Sequence, residues 1–125
     1  MALSFVLSNA GRDLCGDALL ADLVSGTIVI QQIGVVNNII TFNIAAAGNT
    51  SVNGLITLAV AAMTGAAGFA GVADTALFKN PGATTIATAN VGIGAGFSVN
   101  LDNNNIAAGQ VVTITSATIT VPAGT

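Results

Sequence analysis

The stretch FSVNLDNNNIAAGQVVTITSATITV, residues 97–121, decides the fold. Phe97, Val99 and Leu101 alternate with Ser98, Asn100 and Asp102. Side chains of a β-strand point to opposite faces in turn, so this alternation places one apolar face against a core. Asn103-Asn104-Asn105 and Ala108-Gly109 then supply turn residues. The run after them, 111–121, is rich in β-branched side chains and changes phase. Val112 and Ile114 share one face, whereas Ile119 and Val121 have the opposite parity, so a bulge or bend is expected near Ser116-Ala117. A strand that switches faces in this way turns a corner between two layers of sheet.

Working outward, the same texture begins after Gly26. Strands are expected near 27–33, 38–45, 55–60, 72–79 and 85–91, in addition to 97–102 and 111–121. Ile40, Phe42 and Ile44 alternate with Thr41 and Asn43. Asn53-Gly54 predicts a type I′ hairpin turn, which needs positive φ at both central residues, and Pro81-Gly82 predicts a type II turn. The small-residue segments 61–71 and 92–96 read as loops. Before Gly26 the pattern is helical over residues 10–24, with Ser8 or Asn9 as cap and Ser25-Gly26 as stop. Leu14, Ala18 and Ala21 share one face of this helix, with Cys15 at its edge. Leu20, Leu23 and Val24 lie outside that stripe, so the helix is apolar on more than one side. It either packs across its own sheet or also touches a neighbouring subunit.

The expectation is a single mainly β domain over residues 1–125: an antiparallel β-sandwich or jelly roll with one N-terminal α-helix. Residues 1–7 form an N-terminal arm, 8–25 the helix and 26–122 the sandwich.

Composition restricts function. The chain has 125 residues, 53% hydrophobic and 6% charged, with a mean hydropathy of +0.85. Soluble domains carry about 25% charged residues. The charged residues are Arg12, Lys79, Asp13, Asp17, Asp22, Asp74 and Asp102, and residues 23–73 have none. A surface this poor in charge belongs either in a membrane or against other subunits. The uncharged run 55–73 approaches the length of a membrane span, but it is diluted by Gly, Ala and Thr and has no basic flank. No membrane partner is therefore expected. The first residues lack the basic and long apolar regions of a signal peptide, so synthesis in a cytoplasm is expected. A net charge of −3 without a basic patch argues against nucleic acid.

Chemistry finds little to work with. The chain contains no His, Glu, Trp or Tyr, and one cysteine. General acid–base catalysis favours His, Glu or paired carboxylates. Asp13 and Asp17 lie one helical turn apart with no third group nearby, the pattern of a solvated face. Cys15 has no base beside it, and zinc has no ligand set. Asp102 to Asn105 cluster oxygens that calcium uses, but without the glycine and terminal glutamate of a calcium loop they read as a turn. The expectation is a non-enzyme without cofactors.

The chain resembles a group of small structural proteins of tailed bacteriophages. The resemblance rests on Leu3-Ser4, on the helix DLCGDALLADLVSG (13–26) followed by TIVI (27–30), on VADTALFKNPGATTIATANVG (72–92) with its turn at Asn80-Pro81-Gly82, and on the close FSVNLDNNNIAAGQVVTITSATITVP (97–122). It implies a virion component, best matched in size by a capsid cement or decoration protein. Such a protein binds between major capsid subunits as a trimer or dimer, on the capsid exterior, after assembly in the host cytoplasm. A tail, neck or baseplate protein of the same virion has the same composition, and a non-enzymatic binding β-sandwich is the alternative from another class. No catalytic, cofactor or metal residue follows from the resemblance. Assembly contacts are expected from three apolar segments: Leu3, Phe5, Val6 and Leu7 in the arm, Met63 and Phe69 in the central loop, and Val121 and Pro122 at the end of the last strand.

Overall fold

The computed structural model describes residues 6–32, 35–61, 63–94 and 96–121, with the backbone alone for 35–37. One helix, α1 (Asn9–Leu23), precedes eleven strands. These are β1 (Thr27–Gln32), β2 (Val35–Asn43), β3 (Thr50–Val52), β4 (Leu55–Thr57), β5 (Thr64–Ala66), β6 (Gly71–Val72), β7 (Thr75–Lys79), β8 (Thr85–Gly92), β9 (Val99–Leu101), β10 (Asn105–Ile106) and β11 (Val111–Thr120).

The main sheet runs β2-β1-β7-β8-β9-β11-β4-β3, with β5 also on β11, and β6 pairs with β10 separately. Among the described residues every pairing is antiparallel except that of β8 with β9. The fold is thus mainly β with one N-terminal helix, and sandwich-like. Its sheet is a curled half-barrel instead of two flat layers. Curling brings distant strands together: Gly68 and Phe69 donate their N–H groups to Ile39 O at 2.8 and 3.4 Å. Ile28, Ile30, Phe42, Ile56, Phe78, Val99, Leu101, Val112 and Ile114 face the interior, joined by Leu23 from the helix.

The last strand behaves as its phase change requires. Val112 and Ile114 are buried, the register shifts between Ile114 and Ser116, and Ala117 is the next buried residue. The bulge leaves Thr115 unpaired and lets β11 serve different neighbours along its length: β5 and then β4 on one edge, β9 on the other.

Turn chemistry is partly as expected. Asn53 and Gly54 have φ of 51° and 81°, as a type I′ turn demands. The turn at Pro81-Gly82 is not type II, because its positive φ (64°) falls at Ala83. Asn80 directs it: its Oδ1 accepts from Thr84 N at 3.0 Å, and its backbone O accepts from Ala83 N at 2.9 Å.

Ser8 caps the helix, its Oγ accepting from Gly11 N at 3.1 Å. At the other end Ser25, not Gly26, takes the left-handed conformation, with φ of 63°. Gly16 and Leu23 are buried and Leu19 and Leu20 half-buried, so this side faces the sheet. Leu14, Cys15, Ala18 and Ala21 are exposed. Gly16 selects the inward face, since a Cβ there would lie 2.6 Å from Ser51 Oγ and only a glycine allows the approach. The Gly16→Leu variant is therefore expected to lose about 2–3 kcal/mol of stability by overpacking, read by urea unfolding. A loss below half of that would place the helix elsewhere.

The segment 61–71, expected to be a loop, contains β5 and the start of β6. Thr-Gly-Ala shows no apolar alternation because the inward residue is Gly65, whose open side is filled by Ile40 Cδ1. Backbone pairing to residues 111–113 makes the strand.

Candidate assembly surface

The charged side chains are largely spent on the fold. Arg12 Nε donates to Val121 O at 2.8 Å, and Asp13 accepts from Asn53 N. Together they tie the first half of the helix to the end of β11 and to the β3–β4 turn. Asp22 accepts from Asn80 Nδ2 at 3.2 Å, Asp74 from Thr75 Oγ1 at 3.0 Å and Asp102 from Thr113 N at 3.0 Å. Asp13 and Asp17 do not form a carboxylate pair, since Asp13 turns to the hairpin while Asp17 stays exposed. In the Asn-rich turn, Asp102 and Asn103 direct oxygens to the N–H groups of Thr113 and Asn105. Among the described residues no three His, Cys, Asp or Glu groups come together, and no helix is long and apolar enough to cross a membrane.

What remains outside is apolar. Leu14 is 74% exposed, Val6 67%, Val111 64% and Val52 61%; Ile93, Phe69, Val72, Leu55 and Phe97 are also exposed. Val52 and Leu55 stand directly opposite each other across the β3–β4 hairpin. Phe97 lies over Gly92, whose missing side chain leaves room for the ring. Its alternation with Val99 and Leu101 points inward, yet it lies before β9 begins and is left at the rim.

Of the residues expected to make contacts, Val6 and Phe69 are exposed. Leu7 is half-buried. Met63 is a core residue, 2% exposed, and is not available as a surface contact. It is turned inward because its backbone O accepts from Ile114 N at 3.0 Å, which sets it beside the buried face of β11. Val121 is half-buried and works within the chain: its N donates to Gly54 O at 2.7 Å, and its O accepts from Arg12. Leu3, Phe5 and Pro122 lie outside the described residues. Sequence reasoning missed Leu14, Val52, Leu55, Val72, Ile93 and Val111 as exposed apolar residues. The signal for Leu14 was present, since the helix has two apolar stripes and a glycine on only one side of it.

A groove of about 310 Å³ opens between β8 and β11, where β9 is too short to separate them. Phe78, Ala87, Ala89 and Ile119 supply apolar lining, and Thr88, Asn90, Ser98, Thr118 and Thr120 supply polar groups. No charged residue lines it.

No protein-family model, no curated protein and no solved structure matches the chain.

Proposed function

We propose that this chain is a virion structural protein of a tailed bacteriophage: a capsid cement protein that binds the major capsid protein on the exterior of the head and associates with itself as a trimer or dimer. The carrying observation is the surface. Large apolar side chains stand exposed on the helix, the β3–β4 hairpin and the loops, while most of the few charges are engaged inside the fold. Such a surface gains free energy when neighbouring subunits cover it. The role is physical, with no catalysis and no cofactor. The resemblance to phage structural proteins supplies the virion.

Purified protein is expected to sediment with capsids and to show a native mass above that of one chain. Protein that stays monomeric and leaves capsids in the supernatant and pellet assays unbound overturns the reading. Gold labelling of particles separates head from tail: label confined to the tail transfers the proposal to a tail, neck or baseplate role.

A surface variant tests the apolar contribution. Leu14→Lys with Val52→Lys is expected to change stability by no more than about 0.5 kcal/mol for each site, because both are exposed. Binding to capsids is expected to weaken about tenfold, the scale of losing one well-packed interface residue. Unaltered co-sedimentation would remove the helix and hairpin from the contact surface.

A further inference from the structure

We infer that the groove between β8 and β11 receives residues Met1–Phe5 of a second copy as an added β-strand. The inference deepens the assembly reading and rests on it. Both walls of the groove are strand edges. Thr118 N donates to Ser98 O at 2.9 Å, so the backbone of β11 faces β9 at Thr118, and two residues later Thr120 faces the same side beyond the end of β9. On the other wall, Val91 N donates to Asp74 O at 3.1 Å, away from the groove. The alternation of a strand then turns the backbone groups of Asn90 and Thr88 toward it. Asn90 closes the inner end, its Nδ2 donating to Gly96 O at 2.9 Å and its Oδ1 accepting from Ser98 N at 2.9 Å. Thr88 and Thr120 are exposed at the open part. An extended segment laid between them completes hydrogen bonds on two edges at once, which is how strand addition binds.

The occupant follows from the lining and from where the chain leaves the fold. The groove carries no charge, an apolar floor of Phe78 and Ile119, and a polar rim. Residues 1–5, Met-Ala-Leu-Ser-Phe, also carry no charged side chain and alternate Leu3 and Phe5 with Ser4. Fully extended they measure about 16 Å, enough to run along the Ala87–Asn90 wall. They join the described fold at Val6, one of its most exposed apolar residues. The groove stands open in the single chain, so the strand that fills it comes from another copy.

Disulfide trapping tests this in a Cys15→Ser background, which removes the native thiol. Ser4→Cys protein is mixed with Thr88→Cys protein and oxidised. A mixed disulfide of doubled mass is expected, at about tenfold or more the yield obtained when Asp17→Cys replaces Thr88→Cys. Deleting residues 1–5 is expected to lower the native mass toward the monomer while leaving the melting temperature nearly unchanged. The inference is overturned by yields equal to the control, by a disulfide formed within one chain when both cysteines are on the same copy, or by a deletion that leaves the native mass unaltered. Binding to capsids is read separately. Trapping that fails while co-sedimentation persists removes only the arm contact, and the reverse result removes only the virion reading.

Discussion

The Gly26→Ala variant is expected to lose about 3 kcal/mol or more of stability and to melt about 10 °C or more below the parent. Gly26 is buried where the helix hands over to β1. A Cβ at this position would stand 2.0 Å from Lys79 O, 2.9 Å from Leu23 O and 3.0 Å from Asn80 Cα. All three are backbone atoms, so no side chain can rotate away to make room. The glycine cannot move either. Its N–H donates to Leu23 O and its carbonyl accepts from Ile44 N, both at 2.9 Å. One methyl group must therefore push the helix end away from the β7–β8 hairpin, loosening Leu23 in the core and the bond from Asn80 to Asp22. Thermal unfolding followed by circular dichroism measures the loss. A melting temperature within two degrees of the parent would mean that helix and hairpin do not meet at Gly26.

The second large effect is expected from Phe78→Ala, at about 3–5 kcal/mol. Phe78 is fully buried and is the largest such side chain among the described residues. It lies in β7, opposite Ile28 of β1 on one side and Ala87 of β8 on the other. Its removal forfeits burial of the ring and leaves a cavity that strands tied on both edges cannot close. Domains are commonly stable by about 5–15 kcal/mol, so the variant is expected to fold but to unfold at much lower urea. Phe78→Leu retains most of the apolar volume and is expected to cost less than half as much. A loss below about 1 kcal/mol for Phe78→Ala would show that the ring does not fill the core.

These two sites differ in how far the sequence announces them. Phe78 sits in TALFK, where Ala76 and Phe78 alternate with polar or half-buried neighbours, and period two marks it as inward-facing. Gly26 reads as a helix stop. The structure gives that conformation to Ser25 and assigns Gly26 a different task, close approach to a strand more than fifty positions away in the chain. No local pattern can report a contact of that kind.

The candidate surface divides in the same way. Scarcity of charge is a property of composition and is visible at once. Which apolar residues remain outside is not. Met63 and Phe69 belong to one small-residue stretch, and one is in the core while the other is exposed. Curling of the sheet brings this stretch against β11 and Ile39, and hydrogen bonds to Ile114 and Ile39 set the direction of each residue. The groove between β8 and β11 was likewise not legible, because it depends on where β9 stops.

By itself, the sequence determined the mainly β class, the leading helix with its Ser8 cap, the hairpin at Asn53-Gly54 and the phase change in the last strand. Each is a short-range matter of side-chain period, capping or backbone φ, complete within about ten residues. Tertiary structure alone decided that the sheet curls into a half-barrel, that β8 and β9 run parallel, that Gly16 rather than Leu14 meets the sheet, and that Thr-Gly-Ala at 64–66 is a strand. These outcomes depend on backbone groups and small residues meeting partners far along the chain, and such pairings leave no period in the sequence to read.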